Sequence, residues 1–232
     1  IHGDYASFFA DADLDSITNY ECFKGLWSSF NDRNMHEIGH SLRRLFGPGG
    51  LLAGPLRDGR LPYSFADNHD VTRIASTLHE EGHLFPLHGL LWTMPGIPSV
   101  YYGSEYALHG TKEEGDESLR PPRAALEAKT HDLARWIAEL NAARSGSRAL
   151  RLGSYHEVVV ESTTLVFERA WHDERVLVAV NADRDPVTVS LPPASSGRYR
   201  SLLGGATLTV GEDVPEIAVP ALGTVIAQRV GP

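Results

Sequence analysis

Residues 63–76 read "YSFADNHDVTRIAS", and the fold turns on how that stretch is parsed. The run through Phe65 suits a β-strand, and Asn68, His69 and Asp70 follow where the strand ends. In βα architectures the carboxyl ends of strands hold the reacting groups. A plainer reading competes, in which Asp70 is the N-cap of a helix that begins at Val71. From these residues alone the cap has the better claim.

Working outward, residues 94–105 read "MPGIPSVYYGSE". Pro95, Gly96 and Pro98 set a turn before a strand rich in Val and Tyr, and Glu105 reads as a loop carboxylate. Strands are expected at 14–21 ("LDSITNYE"), 61–68 ("LPYSFADN") and 99–105 ("SVYYGSE"). Between them "NMHEIGHSLRRLF" and "HLFPLHGLLWTM" have helical spacing, and Ala124 to Arg144 reads as one long amphipathic helix. Such alternation suggests parallel βα units.

The grammar changes near residue 148. From there "YHEVVVES", "TLVFERAW", "RVLVAVNAD", "VTVSLP", "ATLTV" and "EIAVPALGTVIAQ" read as strands of an antiparallel β domain. The expected organisation is an α/β part over 1–147 followed by an all-β part over 148–232. Three βα units are too few to close a barrel of eight. The first part is therefore either a small α/β layer or a portion of something larger.

Composition narrows the function. The chain has 232 residues, 42% hydrophobic and 22% charged, with a formal net charge of -9. That balance, without any basic stripe, argues against a nucleic-acid partner, and no apolar run reaches membrane-spanning length. A single cysteine, Cys22, excludes an internal disulfide and leaves the compartment open, with a lean to the cytoplasm. The chain starts at Ile1, so a targeting segment would lie outside it.

Two stretches, "HEIGH" (36–40) and "HEEGH" (79–83), fit H-E-x-x-H, the spacing that lets two imidazoles on one helix face bind zinc beside a general-base Glu. The surroundings argue against it. Met35, Ile38, Leu42, Leu45 and Phe46 form an apolar stripe that leaves His36 and His40 on the opposite, solvated face, with the Arg44 cation next in their row. In the second match, Gly82 weakens the helix and Pro86 follows His83 closely. Zinc hydrolysis is thus the lesser alternative.

Taken together, in their order and spacing, "FADNHD" (65–70) and "GIPSVYYGSE" (96–105) strongly resemble the α-amylase superfamily, glycoside hydrolase family thirteen. There F-x-D-N-H-D ends the seventh barrel strand and G-I-P-x-x-Y-Y-G-x-E runs through the eighth. "IHGDY" (1–5) is similar to the segment just past the fifth strand, and "LDSITNYECFKGLWSS" (14–29) to the sixth. The stretches after Trp136 are similar to the last barrel helix and the C-terminal β-sandwich. The resemblance implies a partial (β/α)8 TIM barrel, strands six to eight, followed by an antiparallel β-sandwich.

It also implies retaining chemistry on α-glucosidic bonds of starch-like or malto-oligosaccharide substrates. On that footing Asp70 is the transition-state-stabilising carboxylate, His69 hydrogen-bonds the same sugar, and His2 lines the acceptor side. The nucleophile motif G-x-R-x-D is absent, and the acid/base Glu would lie about two residues before Ile1. The chain alone is therefore expected to be inactive and to associate with the remaining half of such an enzyme or with another copy. No cofactor is implied. A non-catalytic carbohydrate-binding protein on the same half-fold is the alternative from another class.

Overall fold

The computed structural model describes residues 5–11 and 14–231. Its first part runs α1 (Tyr5–Asp11), α2 (Tyr20–Asn31), α3 (His36–Phe46), α4 (Ala53–Arg57), β1 (Tyr63–Phe65), α5 (Ile74–Thr77), α6 (Leu84–Thr93), β2 (Ile97–Ser99), α7 (Asp116–Leu119) and α8 (Asp132–Gly146). β1 and β2 pair in parallel, Tyr63 opposite Ile97 and Phe65 opposite Ser99, and Thr18 adds a parallel bridge on the other side of Tyr63.

Three expected elements differ. The strand at 14–21 shrinks to the Thr18 bridge because Asn19 caps a helix, its side chain accepting the Cys22 N–H at 3.1 Å. The strand at 99–105 stops at Ser99, and the chain then turns through Gly103 at φ 91° into a 3-10 turn over Ser104–Tyr106. The long helix from Ala124 begins only at Asp132, where His131 Nδ1 accepts the Leu133 N–H at 3.1 Å as the cap.

Beyond α8, a short helix α9 (Arg148–Leu152) precedes the strands β3 (Ser154–Val160), β4 (Thr164–Trp171), β5 (Glu174–Asn181), β6 (Val187–Ser190), β7 (Gly197–Ser201), β8 (Thr207–Val210), β9 (Glu216–Val219) and β10 (Thr224–Arg229). Six of them form one antiparallel sheet in the order β3-β4-β5-β10-β7-β8, and β6 pairs with β9. β7 was not expected, because "GRYRS" buries only Tyr199 between exposed arginines. The expected "EIAVPALGTVIAQ" run is two strands, separated at 220–223.

Periodicity explains the layering. Along β5, Val176, Val178 and Val180 face one core while Leu177 and Ala179 face a second. A strand buried on both faces reads as an unbroken apolar run, as "VLVAV" does. The second core lies against β6 and β9 through Val189, Ile217 and Val219. The first is continuous with α2, α3, α6 and α9, and takes in Leu26, Ile38, Leu87, Leu150, Phe167 and Ile226. Apolar packing thus runs unbroken across residue 147.

Three helices seat closely at a glycine. A β-carbon at Gly25 of α2 would meet Ile38 at 3.1 Å, and one at Gly39 of α3 would meet Glu157 at 3.0 Å on β3. At Gly89 of α6 it would meet the Thr224 hydroxyl of β10 at 2.2 Å.

Candidate functional site

Asp67, not Asp70, is the local cap. The first turn of α5 needs an acceptor, and the Ile74 N–H donates to Asp67 Oδ2 at 2.9 Å. This bond closes residues 67–74 into a loop at the carboxyl end of β1. Ser104, beyond β2, places its hydroxyl 2.8 Å from both Asp67 oxygens and ties that loop to the neighbouring one. Burial pushes the Asp67 carboxyl upward, opposed by hydrogen bonds from Ile74 and Ser104 and by the Arg73 charge.

Arg73 is fully buried beneath the same loop. Its guanidinium donates to Tyr102 O at 2.8 Å, Ser104 Oγ at 3.3 Å and Leu119 O at 2.5 Å. It lies 4.2 Å from the centroid of the Tyr101 ring, a cation–π contact that favours a desolvated cation. Glu105 turns back to accept the Gly103 N–H at 2.7 Å, so it serves its own turn.

On this base His69 and Asp70 project outward, their side chains 58% and 54% exposed. Asn68 Oδ1 accepts the Asp70 N–H at 2.8 Å, a turn that fixes the direction of the tip. His69 Nε2 lies 3.3 Å from Asp70 Oδ2. Arg120, in no motif singled out from the sequence, donates to His69 O at 3.2 Å and approaches Asp70 Oδ1 at 3.7 Å. An exposed carboxylate flanked by an imidazole and a guanidinium can accept hydrogen bonds from vicinal hydroxyls of a neutral ligand. Tyr20 and Tyr102 are 41% and 40% exposed; the Tyr20 hydroxyl lies 3.5 Å from Asn68 Nδ2, and the Tyr102 ring centroid 5.3 Å from the Arg73 guanidinium.

The remaining candidates sort differently. His2 lies outside the described residues. Trp92 is core, Trp27 packs against the core, and Tyr101 is taken by Arg73. Tyr102 gives its hydroxyl to Pro121 O at 2.9 Å. His36 and His40 are exposed on α3, while Glu37 accepts the Ser28 hydroxyl at 2.5 Å and Arg44 is paired with Glu21. In the second H-E-x-x-H, Glu80 pairs with Arg184 at 3.0 Å, Glu81 with His131 at 3.3 Å, and His83 bonds Ala182 O at 3.0 Å. Among the described residues no group of three His, Cys, Asp or Glu could hold a metal ion. Both stretches are structural ties.

The profile of the family "Maltogenic Amylase, C-terminal domain" matches residues 157–226. A cyclomaltodextrin glucanotransferase of Bacillus sp. (strain 1011) is 28% identical over 155 residues, 64% of this chain and 21% of that protein. One from Klebsiella oxytoca is 30% identical over 176 residues, 63% of this chain and 26% of that one. In structure, the chain is similar along its whole length to an α-amylase from Geobacillus thermoleovorans complexed with acarbose. That likeness has a TM-score of 0.81 at 17% identity and covers 52% of the solved chain. CldA, a cyclomaltodextrin glucanotransferase with a three-domain distribution, gives a TM-score of 0.78 at 22% identity, covering 99% of this chain and 47% of that one. The chain thus spans about half the length of these solved structures and about a quarter or less of the curated relatives.

Proposed function

We propose that this chain, which belongs to the α-amylase superfamily and corresponds to its C-terminal part, carries one third of a catalytic centre that cleaves or transfers α-glucosyl units. In this reading Thr18, β1 and β2 stand for barrel strands six, seven and eight, and residues from 148 onward form the accessory β-sandwich. The single observation that carries it is the His69–Asp70 tip, held at the carboxyl end of a parallel strand pair.

A retaining glycosidase needs a nucleophile and an acid/base about 5–5.5 Å apart, with further groups that grip the sugar as it flattens toward an oxocarbenium ion. Asp70 takes the last role, accepting hydrogen bonds from ring hydroxyls that acidify and shorten those bonds as positive charge develops at the anomeric carbon. His69 donates to the same sugar, and Arg120 holds both through the His69 carbonyl and the Asp70 carboxylate. The nucleophile and the proton donor come from the rest of the barrel.

The exposed apolar side chains support the same reading. Tyr63 and Ile97, paired across β1 and β2, are 42% and 45% exposed, an arrangement suited to burial by further strands. The partner is accordingly the other portion of the barrel.

Two measurements test this. The codons upstream of Ile1 should encode a Glu about two residues before it and a G-x-R-x-D motif further back; other residues there would sink the assignment. In the assembled enzyme, Asp70→Asn should lower kcat by about 10²–10³-fold with a much smaller change in KM. The isolated chain should show no turnover of malto-oligosaccharides.

A further inference from the structure

Away from the His69–Asp70 loop, a cleft of about 540 Å³ lies where the Gly47–Pro48–Gly49 turn faces the β3 and β4 strands. Among the described residues its lining holds no Asp, Glu, Lys or Arg. Phe46, Pro48 and Leu56 form one wall, and Tyr155, His156, Trp171 and His172 the other. On a chain of net charge -9, an uncharged cleft edged by imidazoles and an indole is selective by composition.

One corner of it is held under strain. His172 sits at φ 51°, a conformation that costs a residue with a β-carbon about 1 kcal/mol and that Gly or Asn fills more readily. Arg175 locks it by donating to His172 O at 2.5 Å. The result is a ring pair set at right angles: the Trp171 and His172 centroids are 5.0 Å apart at 88°. Trp171 is half-buried and braced by the core, whereas His172 and His156 are exposed.

We infer that this cleft is a second carbohydrate site, taking one or two pyranose units of a neutral α-glucan. The C–H face of a pyranose is apolar and faintly positive, and it meets the negative face of the indole. The perpendicular His172 imidazole supplies ring nitrogens that can hydrogen-bond the sugar's hydroxyls, and His156 also lines the cleft. The absence of any fixed charge fits a ligand that carries none, and the volume is of the order of known small-ligand sites. The α-linkage rests on the functional reading above; the sugar chemistry of the cleft does not.

Titration of the full chain with maltoheptaose, followed by calorimetry and indole fluorescence, tests it. Binding should weaken at least about tenfold in Trp171→Ala and about threefold in His172→Gly. His172→Gly relieves the positive φ, so it folds at least as well as the parent. Trp171→Phe keeps the packing and should retain part of the affinity, which guards against simple unfolding. No binding of maltoheptaose, or binding untouched by both Trp171→Ala and His172→Gly, overturns the site. Equal binding of cellohexaose through Trp171 overturns the α-glucan assignment. Turnover by the assembled enzyme is read separately, so loss of one reading leaves the other standing.

Discussion

Two places in this molecule bury arginine, and they do so for different ends. Under the His69–Asp70 loop, Arg73 has Asp67 near it, two aromatic rings over it and three acceptors around it. At the C-terminal end of α6, Arg144 and Arg169 have carbonyls only. Arg144 donates to Trp92 O at 2.7 Å and to Gly96 O, and Arg169 to Thr93 O, Gly153 O and Ser154 O at 2.5, 2.8 and 3.2 Å. Burial lowers both, Arg144 to about 10, and each also feels a neighbouring arginine. At about 10, Arg144 stays protonated at neutral pH.

The contrast has a physical source. The last carbonyls of a helix lack intrahelical partners and carry the negative end of the macrodipole. Two guanidiniums there satisfy both needs at once, and one comes from α8 while the other comes from β4. The α6 end is thus a joint between the helical part and the sheet. The Arg73 cluster instead ties two adjacent loops together beneath the exposed His69–Asp70 tip.

The largest effect should follow from breaking the joint. Arg169→Met removes three carbonyl hydrogen bonds, two of them buried, at about 1–3 kcal/mol for each buried acceptor left unsatisfied. A loss of about 4 kcal/mol by urea titration is expected. A loss below about 1 kcal/mol would mean that water replaces the guanidinium and that the joint lies elsewhere.

Next comes His88, one turn from that joint. It is fully buried, bonded through Nδ1 to Leu84 O at 2.7 Å, and burial lowers it to about 4 from the ordinary 6.5. A histidine lowered in the folded state is protonated first in the unfolded one. Its contribution is therefore intact above pH 6.5 and drains away as pH falls toward 4, by about 3 kcal/mol for a shift of that size. His88→Leu should flatten the pH dependence of stability across that window relative to the parent. Parallel slopes would refute the assignment.

The legibility of these regions was also unequal. The β-rich half could be read because strands buried on both faces spell long apolar runs, as in "TLVFERAW" and "RVLVAVNAD". The short strands beside the site could not be bounded, since three paired residues leave little periodicity, and Asn19 overrode the strand pattern of 14–21 by capping α2. Asn68, His69 and Asp70 were legible as a cluster. Arg120 was not, because it reaches the loop from 51 residues away along the chain. The resemblance supplied roles for Asp70 and His69; the residues alone favoured a helix cap at Asp70, and that cap belongs to Asp67.

A smaller effect should follow at α6. Gly89→Ala sets a β-carbon against Thr224 of β10, whose hydroxyl is buried and without a partner. Overpacking of this kind costs about 1–3 kcal/mol. A concurrent Thr224→Ala, which removes both the hydroxyl and the methyl that the new β-carbon would meet, should recover part of the loss if the clash is the cause.

The smallest change in stability should carry the most information about the site. Asp67→Asn keeps the side chain's size and one acceptor oxygen for the Ile74 N–H, so the fold should lose only about 1–2 kcal/mol. What it removes is a charge beside Arg73 and the symmetric grip on Ser104. If the Arg73 cluster holds the loops in register for the exposed tip, amide exchange across 68–73 should quicken while exchange in β4 and β5 stays unchanged. Arg169→Met should give the reverse order, with the sheet loosened first. Equal changes in both regions for both variants would mean that one cooperative unit spans the chain, and the two arginine clusters would then differ in chemistry but not in task.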